Sequence, residues 1–215
     1  MPAVRWIVLA ASLAAAASAW AGTPRPAAQQ PVHEVGDEWT YTITANGFYL
    51  GKRRYSVVGT TIFRGQPALR ITSKLVEVRS EKVKQFLEDS ELFFTPAGAW
   101  IGERRGPGRV DYAEPPIPVI SWPLAVGSRW EATVSLYFEL FNRSGEPNRF
   151  RVVGYGPVTV PAGTFEAYRL EWRTSEATTF YWYAPAVENM IRYKGVDWSD
   201  DLNYVVELVS YRLKE

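Results

Sequence analysis

The sequence predicts an all-β protein: antiparallel meanders that form a strongly curved sheet, or a closed or half-open barrel, from two duplicated units, with at most one short helix. Three observations lead there. Apolar and polar residues alternate at period two through several runs of strand length. Turns bearing glycine or proline separate those runs. Short phrases also recur in one order along the chain.

The repetition begins with "VGDEW" at Val35 and "VGSRW" at Val126. "RRYSVVG" (Arg53 to Gly59) is answered by "NRFRVVG" (Asn148 to Gly154), "ALRI" (Ala68 to Ile71) by "AYRL" (Ala167 to Leu170), and "FTPA" (Phe94 to Ala97) by "YAPA" (Tyr183 to Ala186). The offsets are 91, 95, 99 and 89 residues, drifts that loop insertions and deletions explain. The competing explanation is that β proteins reuse the same turn and strand phrases. On the first explanation the units cover 35–103 and 126–193 within a single β domain, 35–215. Halves of about 70 residues are marginal alone without staples, so both should share one core.

The strands follow in order. In "EWTYTIT", Trp39, Tyr41 and Ile43 face one way and Thr40, Thr42 and Thr44 the other. In "WEATVSLYFELF", Trp130, Ala132, Val134, Leu136, Phe138 and Leu140 share a face. In "EAYRLEWR", Tyr168, Leu170 and Trp172 alternate with Arg169, Glu171 and Arg173, and "YVVELVSYRL" (Tyr204 to Leu213) is the last strand. "FRGQPA" (Phe63 to Ala68) and "VPAGTF" (Val160 to Phe165) place a turn at the same point of each unit. Pro161 suits the first central position of such a turn, and Gly163 a left-handed one. "SEKVKQFLEDSEL" (Ser80 to Leu92) reads either as a short helix capped by Ser80 or as a hairpin, the hairpin being favoured. Between the units, "RRGPGRVDYAEPPIPVISWP" (104–123) carries five prolines and reads as a link, or else as a lid or edge cover, with no central strand or helix.

The N-terminus sets the compartment. "MPAVRWIVLAASLAAAASAWAG" has a positive charge at Arg5, an apolar run and small residues at positions suited to signal cleavage, so 1–21 reads as a signal peptide. Residues 22–34, rich in Pro, Ala and Gln, read as a flexible lead-in. The chain has no cysteine, hence no lipid-anchored N-terminal Cys and no disulfide. No later run is long and apolar enough for a spanning helix. The expectation is a periplasmic or secreted protein with no integral membrane span after cleavage. Of its 24 Lys and Arg only Arg5 lies in the signal, leaving 23 against 23 Asp and Glu. Such a balance gives no field to draw nucleic acid.

Chemistry is sparse. The single histidine, His33, falls in the lead-in and is expected in solvent, which argues against Ser-His-Asp and Cys-His constellations. No metal centre and no cofactor are expected: there is no cysteine and no second histidine, and "SDDLN" (Ser199 to Asn203) reads as a turn. Glu166, Glu171 and Glu176 lie in or beside one strand, but arginines flank Glu171, so cross-strand ion pairs explain it better than glycosidase chemistry. The expectation is a non-enzyme. Aromatics are the richer class: past residue 21 the chain keeps seven Trp, 12 Tyr and 10 Phe, four of them consecutive from Phe180 to Tyr183. Trp39, Trp130, Trp172, Trp182 and Tyr183 are the candidate ligand-binding residues.

Taken as a set, "VGDEWTYTI", "PLAVGSRWEAT", "VTVPAGTFEAYRLEW" and "FYWYAPAVENMIRY" resemble exported bacterial β proteins of the domain of unknown function 3108 family, over about Val35 to Leu213. The resemblance implies an envelope-associated, non-catalytic β domain. The chain departs from that pattern after the Ala-Pro phrase, with "VENM" (Val187 to Met190) in place of Gly and Val. Three roles follow: a module binding a lipid, another apolar small molecule or an envelope protein partner; a carbohydrate-binding module with exposed rings such as Trp182 or Trp198; or a structural envelope protein acting through edge-strand pairing.

Overall fold

The computed structural model describes residues 27–81, 87–106, 108–139, 142–196 and 203–214. The signal segment 1–21, the middle of the helix-or-hairpin segment (82–86) and Trp198 lie outside the described residues. Twelve antiparallel strands close into one barrel. They are β1 (Glu38–Ala45), β2 (Phe48–Phe63), β3 (Gln66–Val78), β4 (Ser90–Phe94), β5 (Trp100–Arg105), β6 (Arg109–Ile117), β7 (Arg129–Tyr137), β8 (Asn142–Val160), β9 (Gly163–Arg173), β10 (Thr178–Ala184), β11 (Asn189–Val196) and β12 (Asn203–Arg212). Each pairs with its sequence neighbours, and β12 returns to β1 from Glu38 opposite Arg212 to Ala45 opposite Tyr204. The all-β expectation holds, and the sheet closes fully. Among the described residues a 3₁₀ turn, Pro185–Val187, interrupts the strands, and the chain leaves it through Glu188 in the left-handed region, at φ 57°.

Local chemistry explains the hairpins. Asn46-Gly47 and Arg64-Gly65 both have two consecutive positive φ angles, the backbone of the two-residue turn whose twist matches paired strands. Period-two burial follows: in β1, Trp39, Tyr41, Ile43 and Ala45 are buried and the residues between them are not. The Val-Gly steps that precede β1 and β7, Val35-Gly36 and Val126-Gly127, carry the same bonds. Gly36 N donates to Val57 O and Val57 N to Asp37 O, while Gly127 N donates to Val152 O and Val152 N to Ser128 O. The sheet register also slips at matching points, between Val57 and Gly59 and between Val152 and Gly154.

The proline-rich segment needs a correction. β5 runs into it as far as Arg105, and β6 occupies Arg109–Ile117, Pro115 and Pro116 included. The prolines are tolerated because the ladders are broken where they fall. β6 meets β7 only from Tyr112–Tyr137 to Glu114–Ser135. Its pairing with β5 skips from Tyr112 to Ile117. Missing N–H groups therefore cost no ladder bond. The true connection between the halves is 118–128, and Trp130 donates its indole N–H to Pro118 O at 2.6 Å, folding that connection over the short seam.

The outer wall is charged. Lys52 meets Glu77, Glu91 lies between Arg70 and Arg104, Arg192 meets Glu207 and Arg212 meets Glu38. Glu171 lies between Arg151 and Arg173, the cross-strand arrangement its flanking residues predicted. The tip of the β2–β3 hairpin also lies against this wall: Phe63 stacks on Phe93 with ring centres 3.8 Å apart, and the Arg64 guanidinium lies 3.4 Å above the Tyr112 ring. A barrel crossing a bilayer needs an apolar outer band, and ion pairs on most strands are its opposite. Among the described residues no helix is long and apolar enough to cross a membrane.

Trp39 ties the start of β1 to the β10–β11 corner: it is fully buried and donates its indole N–H to Val187 O at 2.9 Å. Trp39→Phe is expected to cost about 2–4 kcal/mol in urea denaturation, from the smaller ring and the carbonyl left unpaired. Trp130→Phe, at a half-buried position, is expected to cost less.

Candidate functional site

Closure leaves a lumen. A cavity of about 1050 Å³ runs inside the barrel and takes lining from both halves: Tyr41, Tyr55, Leu69, Ile71, Leu92, Phe94 and Trp100 on one side, Leu136, Phe138, Trp172, Tyr181, Tyr183 and Tyr193 on the other. These are the inward positions of their strands, so the alternation that makes each strand amphipathic also builds the wall.

The two halves furnish that wall differently. On β7 to β11 a row of rings crosses the sheet. Trp130 stacks on Phe150 (5.4 Å between centres), Phe150 on Trp172 (5.6 Å), Trp172 on Tyr181 (6.2 Å), and Tyr181 tilts against Tyr193 (5.2 Å). Strand register places Trp39, Tyr55, Ser73, Leu92 and Glu103 at the corresponding points of β1 to β5. That side is polar. Arg53 is buried and donates to Ser73 Oγ (2.8 Å) and Glu88 O (3.0 Å), and Arg105 donates to Glu103 (2.8 Å) and reaches Asp111 (3.3 Å). Six strands separate each position from its counterpart in a barrel of twelve, so the ring row and the row that ends in Glu103 face each other across the lumen.

The charge states differ along the wall. Burial pushes the Glu103 carboxyl up, but the hydrogen bond from Arg105 and the charges of Arg105 and Arg53 outweigh it, leaving the group below the ordinary carboxylate value and ionised. Burial raises Tyr41 and Tyr181 far above their ordinary value, so both stay neutral.

Of the candidate residues, Trp172 and Tyr183 stand on the cavity wall, Trp172 donating to Asn148 Oδ1 at 2.8 Å and Tyr183 meeting Trp122 edge-on at 5.2 Å. Trp39 is core. Trp130 supports the ring row from below the wall. Trp182 faces outward, with the guanidinium carbons of Arg169 and Arg192 at 5.6 and 5.5 Å from its ring centre. Sequence reasoning missed Tyr41, Tyr55, Leu92, Phe94, Tyr181 and Tyr193. Period two along β4 and β10 could have found Leu92, Phe94 and Tyr181, because each alternates with a residue on the outer face.

One end of the lumen is covered by residues 27–34. Ala28 and Leu124 exchange backbone hydrogen bonds, and Gln30 donates to Pro96 O at 2.6 Å. His33 is not in solvent as expected: only 21% of its side chain is exposed, and the ring packs edge-on against Trp39 at 5.2 Å. Beside it lie buried Asp37 and half-buried Glu188. Burial lowers His33 more than Asp37 raises it, whereas burial and then the charges of Asp37 and Glu34 raise Glu188.

No family model matches the chain, so the likeness to domain of unknown function 3108 rests on the quoted phrases. No curated protein matches it either. Solved structures do. An exported protein with a YmcC-like fold from Bacteroides fragilis NCTC 9343 is 12% identical, with TM-score 0.46, over 87% of this chain and 100% of that one. A lipoprotein from Parabacteroides distasonis ATCC 8503 is 13% identical, with TM-score 0.40, over 87% and 100%. The hypothetical lipoprotein YmcC from Escherichia coli K12 is 9% identical, with TM-score 0.45, over 86% and 91%.

The Glu103 network sets a pH dependence. A carboxyl depressed in the folded state contributes stability that is present above its unfolded pKa of roughly 4.3 and is lost as pH falls through the lower folded value. Glu103→Gln is therefore expected to be less stable than wild type at pH 7, with a gap that narrows below about pH 4. Chemical denaturation over a pH series measures it; a gap of constant size would mean lost packing rather than lost charge.

Proposed function

We propose that the protein is a non-catalytic, exported binding protein whose lumen holds a lipid or other long amphipathic molecule. One observation carries the reading: the closed barrel holds a largely apolar cavity of about 1050 Å³, at the top of the roughly 300–1,000 Å³ of ordinary small-molecule sites, with a row of rings along one wall and Glu103 on the other. An acyl chain would lie along the ring row, and its polar end would meet Glu103 and its arginine partners. The matching Val-Gly hydrogen bonds and register slips support a further part of the reading, that the barrel descends from one repeated six-stranded unit whose inner faces have since diverged. The apolar ligand and the periplasm or cell exterior belong together, since a molecule of this kind needs a shield to cross an aqueous compartment.

The other roles are less well supported. A sugar platform at Trp182 would need a free ring face, and two guanidiniums lie over that ring. Edge-strand pairing needs an open edge, which barrel closure removes.

Native mass spectrometry of the purified protein, together with titration of a fluorescent fatty acid, tests the proposal. Retained lipid or saturable binding is the expected result. Leu92→Trp, which fills the lumen, is expected to weaken binding at least about tenfold with little change in melting temperature, whereas Trp182→Ala on the outer face should leave it unchanged. A ligand-free mass with no saturable fatty-acid binding would overturn it.

A further inference from the structure

The cluster at the covered end of the barrel is not used by the proposed carrier role. His33, Asp37 and Glu188 each present a ligand-type atom, and these atoms all lie within 4.8 Å of one another. They come from three separate segments: the covering strap, the turn before β1 and the corner after the 3₁₀ turn.

Three features distinguish this group from an incidental cluster. First, His33 Nδ1 is buried without a hydrogen-bond partner and faces Asp37 Oδ2 at 3.9 Å. That is too long for a hydrogen bond, yet two donors each roughly 2.0–2.2 Å from a shared zinc ion can stand about that far apart. Second, the Asp37 carboxylate is held in place by backbone: Oδ2 accepts from Glu34 N and Oδ1 from Lys214 N, both at 2.8 Å. Each oxygen keeps a lone pair, and such outer hydrogen bonds orient metal-bound carboxylates. Third, Glu188 is brought there by a left-handed backbone at φ 57°, which a residue with a side chain adopts at a cost.

We infer that His33, Asp37 and Glu188 form a binding site for a divalent cation of the Zn²⁺ class, which pins the strap over the end of the lumen. One imidazole and two carboxylates suit zinc and its neighbours better than the all-oxygen shells of Ca²⁺ or Mg²⁺. Three protein ligands leave a fourth position open. His33 and Glu188 also line the cavity, which puts the site beside the lumen.

Isothermal titration of Zn²⁺ into the metal-stripped protein, with no lipid added, tests this separately from the carrier reading. The expected result is one Zn²⁺ per chain, a raised melting temperature on binding, and much weaker binding of Mg²⁺. His33→Gln and Glu188→Gly should each weaken Zn²⁺ binding at least about tenfold. Glu188→Gly also controls for folding: glycine suits the left-handed position, so the metal-free variant should melt at or above the wild-type temperature. Absence of Zn²⁺ binding, or equal affinity in wild type and both variants, would overturn the inference.

Discussion

The number of strands governs this molecule. Barrel diameter grows with strand count, and about eight strands already give an interior that side chains just fill. Twelve strands make a lumen that inward side chains cannot close, however many are aromatic. The sequence meets this by placing rings rather than aliphatic residues at many inner positions, which narrows the lumen without filling it. The outer wall carries most of the ion pairs, and the largest apolar surface lies inside. A protein with this distribution is stable in water while keeping a large apolar surface out of it.

Closure also constrains the chain at its least regular point. Twelve strands must meet edge to edge, and the β6–β7 ladder, with pairs only from Tyr112–Tyr137 to Glu114–Ser135, is the shortest in the barrel. Prolines at 115 and 116 prevent it from being longer. Packing makes up the deficit: Val119 and Trp130 join Ile117, Val134 and Leu136 in one apolar cluster, and the Trp130–Pro118 hydrogen bond holds the connection over the seam. The segment that read as a link or an edge cover is both part of the wall and part of its cover.

Much of the barrel was legible because period-two alternation records which side of a strand is wet. Trp39, Tyr41 and Ile43 declared their face in the sequence, as did Tyr168, Leu170 and Trp172. Which residues face each other across the lumen was not legible, since the strands that carry them lie six apart and leave no local trace. That is why Glu103 and Tyr193 looked like unrelated residues although register makes them counterparts. Composition misled twice. Proline content ruled out a strand at 109–117, where broken ladders make the missing N–H groups harmless. A Pro- and Gln-rich lead-in put His33 in solvent, although Ala28, Gln30 and the Trp39 ring give that segment fixed partners. Asn46-Gly47, a strong hairpin signal, would have located the first turn directly.

The covered end and the polar wall belong to different parts of the same design. At the covered end, Trp39 reaches the Val187 carbonyl, and the next residue takes the strained conformation that turns its carboxylate toward His33 and Asp37. A buried indole bond fixes one side of that corner, so the corner cannot relax without breaking it, and the strain at Glu188 persists. Along the wall, Arg53, Glu103, Arg105 and Asp111 supply balanced charge, and buried ions survive only when each has a partner. A filled scaffold could have used apolar residues at those positions, as the opposite wall does at Trp172 and Tyr193. Retaining polar groups along one wall of an otherwise ring-lined lumen makes sense where what enters has a polar end of its own.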